Sequence, residues 1–193
     1  VGSLENKGIE LTLNTVNISK GDFYWGTNLI FSLNRNKVLA LDTANSSIEK
    51  NYQPSSNNFI VTKTAVGQPI GQFWGYKVIG RFDNPTDFYY RDENGNVQQV
   101  ALPEGNTISE SGTWIGDYRY ADINGDGVIN NEDCTYIGNP EPKFTYGIGN
   151  TFTWKGFDLN IFFNGSYGNQ AMNLTRYRIE DPRVNNNGLK SAL

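Results

Sequence analysis

"KFTYGIGNTFTWKGFDLNIFFNG", residues 143–165, decides how the rest of the chain is read. Its first half carries large apolar side chains on alternate positions: Phe144, Tyr146, Ile148, Phe152 and Trp154. The second half sets Phe157, Leu159, Ile161 and Phe163 against Asp158, Asn160, Phe162 and Asn164. A period of two marks a strand with one face in an apolar medium, whereas a helix would repeat at 3.6. Only Lys155 and Gly156 separate the runs, which suits a tight primed turn between antiparallel strands.

The same design recurs upstream. In "KGIELTLNTVNI" (7–18), Ile9, Leu11 and Leu13 alternate with Glu10, Thr12 and Asn14. "DFYWGTNLIFSLNRNK" (22–37) puts Phe23, Trp25, Thr27, Leu29, Phe31 and Leu33 on one face. The short turn Ser19 to Gly21 makes these two runs a hairpin. A weaker pair, "FIVTKTAV" (59–66) and "GQFWGYKVIGRF" (71–82), breaks at Gly67 to Ile70, where Pro69 cannot donate to a ladder. The spacing therefore predicts six strands, 8–18, 22–34, 58–67, 71–83, 143–154 and 157–168, in an all-β chain of antiparallel hairpins. The turns near Lys20, Gln68 and Lys155 are short; the segments 35–57 and 84–142 are long and polar. Within 84–142, "FYYRDENGNVQQVAL" (88–102) holds a small hairpin turning at Asn94-Gly95.

Two architectures produce such alternation. A soluble sandwich turns its apolar face to a second sheet, whereas an outer-membrane barrel turns it to lipid and its polar face to a wet lumen. Short turns at one end and long loops at the other favour the barrel, as do aromatics beside the short turns, Phe23, Tyr24, Trp25, Trp154 and Phe157. On that reading Leu29, Phe31, Ile148, Phe152, Leu159 and Ile161 face hydrocarbon, and Asn28, Ser32, Asn160 and Asn164 face the lumen.

Composition narrows the function. The 193 residues carry a formal charge of -4, with a pI near 4.9, which speaks against nucleic acid. No Lys/Arg cluster suits anionic lipid. Cys134 is the only cysteine, and the chain has no histidine, so disulfide frameworks, His-based triads and His zinc sites are excluded. No run of about 20 apolar residues exists to form a membrane helix. The chain begins at Val1, and we read it as a piece of a longer protein.

One stretch departs from the strand pattern. "DINGDGVINNED" (122–133) has the oxygen-ligand spacing of a calcium loop. Asp122, Asn124 and Asp126 supply positions one, three and five; Gly127 permits the sharp turn; Val128 offers its carbonyl; Asn130 binds directly or through water; Asp133 closes the cage. Ile129 is the apolar anchor. An Asn/Asp/Gly-rich turn without metal, or a magnesium site, has the same residues. Calcium here would be structural, because no open position lies beside a base. The loop acids Asp87, Asp92, Glu104 and Glu110 read as solvated charge, and no enzyme is expected. Phe88, Tyr89, Tyr90, Trp114, Tyr118 and Tyr120 either contact a ligand or partner, stacking on sugar rings, or pack the loop's own small core. Cys134 reads as a partly shielded thiol.

"ENKGIELTLNT" (5–15), "GQPIGQFWGYKVIGRF" (67–82) and the segment from Tyr120 to Asn169, with "IGNPEPKFTYG" and "KGFDLNIFF", resemble the C-terminal barrel of the SusC/RagA family of TonB-dependent outer-membrane transporters from the Bacteroidetes. Cys134 departs from the charged or polar residue more usual there. The resemblance implies an outer-membrane location and a role in import of glycans or, in some members, peptides. It also implies a plug energised by TonB-ExbB-ExbD and a SusD-like surface lipoprotein over long extracellular loops. The alternative is a soluble calcium-binding all-β surface module that binds glycan or protein. A dockerin is disfavoured, since it needs two helix-flanked repeats, and Pro140 and Pro142 block a helix after this one.

Overall fold

The structure, a computed structural model, describes residues 2–42, 47–53 and 59–175. In chain order the strands are β1 (Ser3–Lys20), β2 (Phe23–Ala40), β3 (Ser47–Tyr52), β4 (Phe59–Ala65), β5 (Gln72–Tyr76), β6 (Val78–Arg81) and β7 (Tyr89–Arg91). There follow β8 (Val97–Gln99), β9 (Leu102–Pro103), β10 (Tyr118–Tyr120), β11 (Val128–Ile129), β12 (Cys134–Gly138), β13 (Phe144–Trp154) and β14 (Phe157–Tyr167). Four of them, in the order β1-β2-β13-β14, make one antiparallel sheet. At Lys155 φ is 46° and at Gly156 84°, the left-handed pair that a primed two-residue turn requires.

Register fixes the two faces of this sheet, because directly opposed residues project on the same side. Leu29 stands opposite Leu13 and Ile148, and Ile148 opposite Phe163. Trp25 faces Phe152, which faces Leu159. On the other side Asn28 opposes Asn14 and Gly149, Ser32 opposes Glu10 and Thr145, and Asn160 opposes Thr151. The segregation read from the sequence is therefore present. The apolar side stays bare, with Phe157 76% and Phe163 63% exposed.

Aromatic rings border that bare face at both ends. Near the turns, Trp25 stacks on Phe152 at 5.7 Å, in line with the cross-strand row Phe23, Trp154 and Phe157. At the far end Phe144 lies 5.6 Å from Phe31 and 5.1 Å from Tyr167. Between them run the aliphatic Leu29, Ile148, Leu159 and Ile161. The eleven residues of β13 span both rows, about 33 Å along the strand, or about 25 Å of height at a barrel's usual tilt.

Two expectations are corrected. Segments 58–67 and 71–83 do form strands, but β4 and β5 sit in a second sheet, β12-β5-β4-β3. They have seven and five residues, too short to cross a bilayer, which takes about 9–11. β4 is moreover shielded on both sides rather than on alternate residues. The turn at Gln68 also does not join those at Lys20 and Lys155. Val38 N–H donates to the Gln68 carbonyl at 3.0 Å and Gly67 N–H to the Val38 carbonyl at 2.8 Å, at the distal end of β2. Lys155 instead meets Asp22 at the proximal end. Both β1 and β2 outrun the predicted 8–18 and 22–34, so the excursion that leaves the sheet begins after Ala40 and returns only at Phe144.

Candidate loop site

Within this excursion a small core of Phe82, Phe88 and Leu102, with Val100 and Ile108 against it, organises residues 82–129. Phe88 is 1% exposed and lies in parallel on Phe82 at 4.2 Å. It is therefore a core residue and not a ligand contact, because its ring has no free face to offer. Trp114 leans on it from outside at 6.2 Å. Tyr89 and Tyr90 in β7, and Tyr118 in β10, are exposed. Tyr120 is half-buried, 5.4 Å from Tyr76, and burial above all pushes its hydroxyl pKa up.

The predicted calcium loop, 122–133, is pinned at both ends to neighbouring residues of one segment. Ala121 N–H donates to the Lys77 carbonyl at 2.9 Å, and Cys134 pairs with Tyr76. Inside, β11 runs parallel to β9 and buries Ile129. Gly125 and Gly127 adopt φ of 77° and 82°, a conformation costly for other residues. Asp122, Asn124, Asp126 and Asn130 brace the turn by accepting from its backbone amides. Asp122 Oδ1 and Oδ2 accept from Gly125 and Gly127 N–H at 2.6 and 2.9 Å. Asn124 Oδ1 accepts from Asp126 N–H at 3.0 Å, and Asp126 Oδ1 from Val128 N–H at 2.8 Å. Asn130 Oδ1 accepts from Glu132 N–H at 2.8 Å.

Asp133 is wholly buried and accepts from Ile123 N–H at 2.7 Å and Asn130 N–H at 2.9 Å. Donation from Asn130 first, then from the Ile123 and Asn124 amides, holds its carboxyl below the usual aspartate value against the opposing effect of burial. Among the described residues no three His, Cys, Asp or Glu side chains gather as a metal cage. The donors are nonetheless all oxygen, the preference of calcium, and a carboxylate oxygen that accepts one amide retains a further lone pair. The residue types thus fit the ion, with the backbone already folded around them.

Two hollows flank this loop. One, of about 280 Å³, is lined by Tyr90, Gln99, Arg119, Tyr120, Asp122 and the loop glycines. The other, of about 720 Å³, is bordered by Phe59, Trp74, Tyr76, Tyr120, Cys134 and Met172. Lys63 Nζ sits 4.4 Å over the Trp74 ring and 3.1 Å from Glu49. The Ser47 hydroxyl, then Lys63, holds the Glu49 carboxyl below its ordinary value. Burial raises the Cys134 thiol pKa, which leaves it mostly protonated. Lys63, Trp74 and Tyr76 are not legible as pocket residues in the sequence, because their segments carry the β-branched and aromatic content of membrane strands.

The chain matches no protein-family model. It is 33% identical over 178 residues to TonB-dependent receptor P3 of Formosa agariphila, covering 91% of this chain and 16% of that protein. The chain belongs to the SusC/RagA family of TonB-dependent receptors. TonB-dependent receptor SusC of Bacteroides thetaiotaomicron is 25% identical over 173 residues, 88% of this chain and 14% of SusC. Among solved structures, the RagAB peptide importer in its closed-closed state superposes with a TM-score of 0.58 at 20% identity, over 93% of this chain and 17% of the importer chain. That likeness is one of fold: antiparallel hairpins of the kind that form part of a β-barrel wall. The segment spans about one sixth of the curated receptors it matches, and the described strands do not close into a barrel.

Proposed function

We propose that this segment forms part of the wall and outer rim of an outer-membrane importer. The observation that carries the proposal is the bare aliphatic face of β1-β2-β13-β14, bounded by aromatic rows about 25 Å apart, the band expected of a lipid-facing barrel. β1, β2, β13 and β14 cross the bilayer; the short turns at Lys20 and Lys155 face the periplasm; the excursion from 41 to 143 faces the cell exterior. A water-soluble surface module, the other reading of the sequence, would leave that face in water, at a cost that scales with its apolar area.

Cargo enters through the complete barrel, energised by TonB-ExbB-ExbD acting on a plug outside this chain, beneath a SusD-like lipoprotein. The cargo in this reading is an oligomeric nutrient, a glycan or a peptide, as the sequence resemblance implies; the structural neighbour RagAB is a peptide importer. We assign no catalytic step to the segment. Asp122, Asn124, Asp126, the Val128 carbonyl, Asn130 and Asp133 hold a structural calcium that stiffens the outer loop. Calcium titration tests this last point: Asp126→Ala lowers affinity while the strands stay assembled, and identical curves for wild type and variant refute the site.

Exposure of the excursion is tested by inserting an epitope between Asn94 and Gly95 of the full receptor. Antibody binds intact cells if the topology holds. Binding only after permeabilisation contradicts it.

A further inference from the structure

We infer that the cleft beside the calcium loop binds a carboxylated sugar ring, with Arg119 as its anchor. This rests on the reading of residues 84–142 as an outward-facing loop and adds a ligand class and a site to it. Arg119 is half-buried in β10, its guanidinium 5.6 Å from the Phe82 ring centre. Among the described residues it has no ion-pair partner and its guanidinium donates no hydrogen bond. Asp87, the acid whose pKa Arg119 helps to lower, has turned its Oδ2 to the Asp83 and Asn84 amides, each at 2.8 Å. A planar fork of five donors, packed on one face and unspent on the other, matches a carboxylate presented edge-on.

The remaining lining specifies what carries that carboxylate. Tyr90, 53% exposed, and Tyr120 line the cleft with aromatic carbon suited to the C–H side of a sugar, and their phenol groups with Gln99 suit its hydroxyls. At about 280 Å³ the cleft suits one ring rather than a longer ligand. A zwitterionic amino acid fits less well, because its ammonium needs an acceptor. Asp122 is the carboxylate at hand, and the lone pairs left after accepting from Gly125 and Gly127 are those that would bind the calcium ion.

Titration calorimetry on the full receptor in detergent, at fixed saturating calcium, tests the site with trigalacturonate, neutral maltotriose and the peptide Ala-Glu-Ala. Trigalacturonate should bind, and Arg119→Gln should weaken it about 10- to 100-fold, the loss of a charged hydrogen-bonding pair. Arg119→Lys should recover only part, since the fork is lost. Tyr90→Ala, at an exposed position outside the Phe82–Phe88 core, should weaken it several-fold and covers the case in which Arg119→Gln fails to fold. Equal binding of maltotriose, tighter binding of the peptide, or trigalacturonate binding unchanged in both the Arg119 and Tyr90 variants would overturn the assignment. Surface labelling at Asn94-Gly95 reads topology alone, whereas calorimetry on the uninserted receptor reads the cleft. Intact labelling with no trigalacturonate binding therefore sinks the sugar site alone.

Discussion

Asp133 ties the start of the 122–133 loop to its end through two backbone amides, those of Ile123 and Asn130. Since those donors lower its pKa, the stabilisation it gives is complete above the ordinary aspartate value of 3.8 and fades as pH falls through the depressed one. Asp87 and Asp92, also held low, Asp87 by backbone amides and Asp92 first by the Gln98 side chain, act in the same direction. Acid should therefore raise amide exchange in 82–133 before it affects β13 and β14, as exchange mass spectrometry would read. Asp133→Ala should reproduce that pattern at neutral pH, and equal exchange in variant and wild type would refute it. Phe88→Ala should cost the loop about 3–5 kcal/mol, the loss expected for a buried phenylalanine. Tyr89→Ala, on the exposed side of the same hairpin, should change stability by no more than about 0.5 kcal/mol. The ligand spacing of 122–133 was legible because it is local. Core packing was one of two readings open to the loop aromatics, and its falling to Phe88 depends on Phe82 and Trp114 meeting that ring.

The β13–β14 hairpin was equally plain at the scale of the element. Period-two patterning and the Lys155-Gly156 link determine both strands and their register without help from distant residues. Gly156→Ala should cost about 1–2 kcal/mol, because the turn keeps that residue left-handed. Lys155→Asn should be neutral or slightly stabilising, since asparagine tolerates that conformation better. Urea midpoints of the refolded receptor would check both. The second sheet was misread for a physical reason. "FIVTKTAV" and "GQFWGYKVIGRF" have the β-branched and aromatic content of membrane strands, and nothing local reports that β12 pairs with β5 to form a separate sheet. The strand lengths, set by those long-range pairings, carry the distinction.

For the molecule as a whole, the account turns on one face of one sheet meeting lipid. Arginine at Leu159, near the middle of the aliphatic band, should destabilise the assembled barrel by about 2–4 kcal/mol, whereas at Asn160, one residue on and facing the other way, it should be tolerated. The most direct measurement places a spin label at each position from 157 to 167 of the full receptor, in a Cys134→Ser background, in outer-membrane vesicles. Accessibility to oxygen and to a water-soluble nickel chelate is then recorded. The account predicts alternation, with positions 159, 161 and 163 oxygen-accessible and positions 158, 160 and 164 chelate-accessible. Absence of alternation, or chelate access at 159, 161 and 163, would contradict it.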